Sequence, residues 1–227
     1  MPMPPRLTVV GDHERPDHYH LPKDARCYFW GEYTPFENTG GLKWNFSTTN
    51  ELITNFKKKL DKGGQQYKRH AISQVAQAYA KLWKWDVLHG HQVALIPMPP
   101  SKARGDPLFD GRMHDMLVAM AAAAGGHFDI RDCLSFSGAY GASHETAARP
   151  TPDALYRALT FDPVAGRVAE PPGLIMLVDD MLTTGAHFVA AVRRLSEVFS
   201  GVEVIGSFIA RRVVPNPFGD FDDVDGP

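Results

Sequence analysis

The stretch Gly173-Leu-Ile-Met-Leu-Val-Asp-Asp-Met-Leu-Thr-Thr-Gly-Ala186 constrains this chain more than any other. Its apolar run, 174–178, lies between Pro171-Pro172-Gly173 and a pair of acids, which predicts a buried parallel strand. Asp179 and Asp180 then stand at the strand's carboxyl end. Thr183, Thr184 and Gly185 follow, and Val189, Val192 and Leu195 mark a helix. The order is strand, acidic pair, hydroxyl-rich turn, helix. Open α/β sheets bind ligands outside the carboxyl ends of their strands. A helix start offers unpaired N–H groups and a positive dipole end, which suit a phosphate. Thr183 and Thr184 add hydroxyl donors, and Gly185 lets a backbone approach closely. Carboxylates accept hydrogen bonds from sugar hydroxyls but repel a phosphate. One element therefore suits a sugar phosphate, with acids for the diol and the turn for the 5′-phosphate.

Val178-Asp179-Asp180-Met181-Leu182-Thr183-Thr184-Gly185 resembles the phosphoribosyl pyrophosphate (PRPP) motif of type I phosphoribosyltransferases. A strand that merely ends in acids would not need Thr-Thr-Gly and a helix in register behind it. An NTPase strand ending in acids would need an upstream Gly-rich loop closing in Lys-Ser or Lys-Thr, and the chain has none.

Composition narrows the classes. With 44% hydrophobic and 22% charged residues over 227 positions, the chain can bury a sizeable core as one domain with an appended part. A net charge of −2 gives no global basic field for nucleic acid. No apolar run approaches membrane-spanning length, and Met1-Pro-Met-Pro-Pro has no signal-peptide core. Cys27 and Cys133 alone cannot build a zinc ribbon, and so few cysteines suit a reducing, cytoplasmic setting.

In chain order, residues 1–24 read as a flexible arm. Its His13, His18 and His20 lack a second ligand group and read as surface residues rather than a metal site. Cys27-Tyr-Phe-Trp-Gly-Glu-Tyr33 is strand-like, and Thr48-Thr-Asn50 is a cap for a helix from Glu51. Lys57, Lys58 and Lys59 read as its solvated face. Periodicity predicts a long helix over 65–88, a buried strand at 93–97 and a helix over 110–124 stopped by Gly125-Gly126. A short strand starts at Phe128, and a last strand covers 202–209 before Arg211-Arg212. Residues 135–152 have no sustained period and read as a lid or binding loop carrying Tyr140, His144, Glu145 and Arg149. The acidic tail 216–227 reads as frayed.

Three features together resemble the ComF-like branch of the family, over roughly residues 45–210: Glu51-Leu-Ile-Thr-Asn-Phe-Lys-Lys before a long helix, the strand Ile96-Pro-Met-Pro99 with its basic loop, and the 178–185 motif. Two departures stand out. The cysteine-rich zinc element of ComF-like proteins is missing, and Thr183 replaces the acid of the 6-oxopurine enzymes. The resemblance implies an α/β fold, a parallel-sheet type I phosphoribosyltransferase core with helices on both faces. That domain would run over 25–215, with a small amino-terminal hood at about 25–65. It implies that Asp179 and Asp180 hold the ribose hydroxyls, and Mg²⁺ indirectly through PRPP or water. Met181, Leu182, Thr183, Thr184 and Gly185 would wrap the 5′-phosphate, with Ser101 also binding PRPP. Lys102 and Arg104 would meet the pyrophosphate, and Tyr140, His144, Glu145 and Arg149 would act from a mobile catalytic loop. The activity implied is transfer of a phosphoribosyl group to a small nitrogenous acceptor with release of pyrophosphate. A PRPP- or nucleotide-binding regulatory module without turnover is the alternative. A homodimer stays open.

Overall fold

The computed structural model describes residues 3–137 and 149–214. In chain order the elements are β1 (Thr8–Val9), β2 (Cys27–Tyr33), α1 (Thr48–Phe56), α2 (Gln65–Leu82), α3 (Trp85–Gly90), β3 (Val93–Pro97), α4 (Arg112–Ala124), β4 (Asp129–Ile130), β5 (Leu134–Phe136), α5 (Pro152–Ala158), β6 (Leu159–Phe161), β7 (Leu174–Leu182), α6 (Ala186–Val198) and β8 (Glu203–Arg212). Local chemistry sets the ends. Ser47 Oγ accepts the Asn50 N–H at 3.1 Å, so α1 begins one turn earlier than a cap at Thr48–Asn50 would place it. Trp83 is extended and splits the helical pattern of 65–88 into α2 and α3. Gly125, with φ 72°, closes α4.

The main sheet has the order β1-β2-β8-β7-β3-β4. β1 is antiparallel to β2, and every other pairing is parallel. β5 and β6 form a separate antiparallel pair. Alternate residues of β7 feed two cores. Met176 and Val178 join Phe56, Val75, Tyr79, Met116 and Met120 on the face covered by α1, α2 and α4. Ile175 and Leu177 join Leu155, Ala191, Leu195 and Phe199 on the face covered by α5 and α6. A strand buried on both faces reads as a continuous apolar run, as 174–178 does. The molecule is thus a mixed α/β fold with a mostly parallel central sheet and helices on both faces. Among the described residues no helix is long and apolar enough to cross a membrane.

β3 leads through α4 to β4, away from β7. β7 leads through α6 to β8, in the opposite direction. The gap between β3 and β7 is therefore the topological switch point of the sheet. Their ladder ends where the Met98 N–H donates to the Val178 carbonyl at 2.8 Å. Pro99 and Pro100 have no N–H to continue it. β7 runs on beside β8 to Leu182, leaving its β3-side edge open over 179–182. The acids accordingly lie within β7 rather than at its end.

Two segments differ from the sequence reading. Residues 1–24 are expected as a flexible arm, but the described part is packed. Val10 and Leu21 are core residues, His18 is fully buried, and β1 pairs with β2. Residues 135–152 are expected as a loop, yet Ser135 and Phe136 are strand residues paired with Thr160 and Leu159.

Candidate functional site

Asp180 lies on β7 just beyond its last pairing with β3, at the switch point. Its side chain is 6% exposed. Lys57 Nζ, from just after α1, donates to Oδ1 at 2.9 Å. Arg112, the first residue of α4, donates to Oδ2 from Nε at 3.0 Å and Nη2 at 2.5 Å. Arg112 also donates from Nη1 to Asp110 Oδ2 at 2.8 Å, and Lys68 Nζ meets the same oxygen at 2.5 Å. Burial disfavours the Asp180 charge, but Lys57 and Arg112 outweigh it and hold the carboxyl well below the usual carboxylate range.

Asp179 is different. Its Oδ1 accepts the Asp180 N–H at 2.7 Å, and it remains partly exposed. Burial, then the charge of Asp180, push its carboxyl up to about 7. The two acids are thus pushed in opposite directions although they are adjacent in sequence.

Beyond them, Met181 lines a cavity of about 320 Å³ with Tyr33, Phe36, Ile53, Thr54 and Lys57. Leu182 is buried in the α6-side core. Thr184 is buried, and its Oγ1 accepts the Ala186 N–H at 3.4 Å. Gly185, with φ 86°, is the N-cap of α6 and has no side chain to cap it. His187 follows in the first turn, edge-on to Phe136, and burial pushes its imidazole down to about 4.

The amino-terminal segment packs on this turn. His18 Nδ1 hydrogen-bonds the Thr183 carbonyl, and the His20 N–H donates to the Thr184 carbonyl at 2.9 Å. A Cβ on Gly185 would lie 2.8 Å from Leu21 Cγ. The open space that Gly185 leaves is thus filled by Leu21, and the carbonyl side of the turn belongs to the segment 18–21.

The other sequence-predicted residues do not converge on the acids. Ser101 is exposed. Lys102 pairs with Asp106 at 3.4 Å. Arg104 donates to Asp132 Oδ2 and to the Asp132 carbonyl, both at 2.7 Å, and lies over the Phe109 ring. Tyr140, His144 and Glu145 lie outside the described residues. Arg149 is exposed; partial burial and the nearby charge of Arg212 lower its pKa, while Tyr19 and Glu37 act the other way. Arg211 and Arg212 pair with Asp17, Glu32 and Glu37.

Lys57, Lys68, Asp110 and Arg112 are functional candidates the sequence reading missed. Lys57 is not part of a solvated face; it turns inward to Asp180. A lysine's sequence context carries no sign of a partner 123 positions away. Arg112, at a helix start beside Gly111, is a weak signal only.

A larger cavity, about 400 Å³, lies at the opposite end of β3 against Val93, His89, His127, Asp129 and Arg131. Its buried cation, Arg131, is already saturated by Asp129 and the Gly166 carbonyl. Cys27 and Cys133 are buried and unpaired, and burial pushes both thiols up to about 12, which disfavours the thiolate. Among the described residues no three His, Cys, Asp or Glu side chains gather to hold a metal ion. No family model matches the chain, and no curated protein matches it.

Proposed function

We propose that the protein is a phosphoribosyltransferase that takes PRPP with Mg²⁺, transfers the 5-phosphoribosyl group to a small nitrogenous acceptor and releases pyrophosphate. The observation that carries this reading is the placement of the 178–185 unit along the switch-point crevice, where open α/β sheets take their ligands. The start of α6 at Gly185, where Thr184 Oγ1 takes the Ala186 N–H by a long 3.4 Å bond, offers a positive dipole end for the 5′-phosphate. Asp179, partly exposed, is the acid best placed to accept from a ribose hydroxyl.

The donor set fits Mg²⁺ only loosely. Both Asp180 oxygens already accept from cations, so Asp179 is the acid that would hold the ion, through water or through the substrate's oxygens. When bound, Mg²⁺ supplies charge neutralisation on the pyrophosphate. The chain's own residues bind the phosphate at 183–187, orient the ribose at Asp179 and surround the acceptor side with Tyr33, Phe36 and Met181.

One observation favours the alternative of a binding module without turnover. Asp180 is saturated by Lys57 and Arg112, while Lys102 and Arg104 are paired away from the crevice. Incubation with Mg²⁺, PRPP and a panel of nucleobases and amines, following pyrophosphate, separates the two. Acceptor-dependent release supports the transferase. Tight PRPP binding without release supports the module. Failure to bind PRPP, ribose 5-phosphate or a nucleoside monophosphate excludes both.

A further inference from the structure

We propose that Lys57 and Arg112 are the cation pair that binds the substrate's diphosphate, with Asp180 as their built-in counter-ion in the ligand-free protein. The identification of the anion as a diphosphate rests on the phosphoribosyl reading; the cation pair itself does not.

The cluster contains Lys57, Lys68 and Arg112 against Asp110 and Asp180, so three cations face two anions. Four of the five side chains are nearly buried, at 5%, 17%, 14% and 6% exposure for Lys68, Arg112, Asp110 and Asp180. Each cation has a carboxylate partner, and Lys57, at 41% exposure, is the one of the three that reaches solvent, so the surplus positive charge lies where an arriving anion can meet it. The surplus also faces a way in. Lys57 is 41% exposed and lines the cavity of about 320 Å³ formed with Tyr33, Phe36 and Met181. Its ammonium sits between a buried carboxylate and open space. Lys57 and Arg112 bind different oxygens of Asp180, so a single carboxylate spans the gap between them. A diphosphate has anionic oxygens on two phosphorus atoms, and it can take both cations without drawing on Asp180. Arginine adds a planar fork that matches a phosphate face.

This assignment also fills a role left open. Departure of pyrophosphate breaks the C1–O bond with both electrons going to the leaving oxygen. The acceptor nitrogen's lone pair forms the C1–N bond, and its proton passes to water. The growing negative charge on the leaving group needs cations close by. Lys102 and Arg104 are engaged by Asp106, Asp132 and the Asp132 carbonyl, whereas Lys57 and Arg112 stand beside the acids of β7.

The test is calorimetric titration of the full chain with inorganic pyrophosphate, and separately with ribose 5-phosphate, which probes the 183–187 turn alone. Lys57→Gln is expected to weaken pyrophosphate about 10- to 100-fold, the loss of one charge-assisted hydrogen bond, with ribose 5-phosphate affinity unchanged. Arg112→Gln acts in the same direction. Asp180→Asn is expected to tighten pyrophosphate, because the internal competitor is removed. Lys57 is half-exposed, so the Lys57→Gln result stands even where Arg112→Gln does not fold. Pyrophosphate affinity indifferent to Lys57→Gln, or no pyrophosphate binding by the wild type, overturns the inference while ribose 5-phosphate binding keeps the phosphoribosyl reading. Lys57-dependent pyrophosphate binding without ribose 5-phosphate binding upholds the cation pair and removes that reading.

Discussion

His18 Nδ1 donates its proton to the carbonyl oxygen of Thr183, 165 positions downstream. That bond fixes the imidazole tautomer and leaves Nε2, buried, with no partner among the described residues. It joins the His20 N–H to Thr184 carbonyl bond and the Leu21 contact with Gly185, so the phosphate turn is held from its carbonyl side by the amino-terminal segment. On the N–H side, Thr184 Oγ1 accepts from Ala186 at 3.4 Å.

Gly185→Ala is therefore expected to destabilise the protein by about 1–3 kcal/mol, from the φ of 86° and the close approach of Leu21 together. Denaturant midpoints measure it. In a double-mutant cycle, Leu21→Ala should recover the steric part and leave the backbone part. Strict additivity of the two changes would mean that Leu21 does not fill the space over Gly185.

Asp180→Leu is expected to cost about 3 kcal/mol, because it takes the two hydrogen bonds to Asp180 from the nearly buried Arg112, which keeps Asp110 alone. Lys57→Gln should cost less, about 1 kcal/mol, since its side chain is 41% exposed and Asp180 keeps Arg112. Equal losses in chemical denaturation would contradict the network as drawn. The sequence reading makes Asp180 a binding residue alone; its ion pairs make it a stability residue as well.

The pH dependence follows from Asp179. Its folded value is raised from 3.8 to about 7, so its stability contribution is complete below the ordinary value and is lost as pH rises through about 7. Asp179→Asn removes that dependence. The stability difference between wild type and Asp179→Asn is expected to shift in the variant's favour as pH rises across this window. Parallel stability curves from acid to neutral pH would show that the carboxyl titrates normally.

Arg104→Ala should lower stability by at most about 1 kcal/mol and leave pyrophosphate affinity within about twofold, because its guanidinium, 45% exposed, serves Asp132 and not the crevice. A loss of pyrophosphate binding as large as that of Lys57→Gln would return Arg104 to the site and require the 98–111 loop to rearrange.

The sequence by itself determined the elements whose causes are local. The run 174–178 was legible as a doubly buried strand because both its faces are apolar. β2 and β3 coincide with the expected 27–33 and 93–97, and Pro99-Pro100 marks the end of β3 by removing N–H donors. The turn at Gly185 was legible because Thr-Thr-Gly stands between the acids and a helical period; the positive φ and the close approach of Leu21 came from the structure. Tertiary structure alone decided which charges meet. Nothing near Lys57 or Arg112 in sequence encodes a carboxylate 123 or 68 positions away. Likewise, His18 and Leu21 look like parts of a polar arm until the sheet brings Thr183 and Gly185 beneath them. Periodicity reports how a residue faces its own helix or strand. The partner of a buried charge depends on how strands from distant parts of the chain are ordered in the sheet, and here that order placed Asp180 between two cations at the switch point.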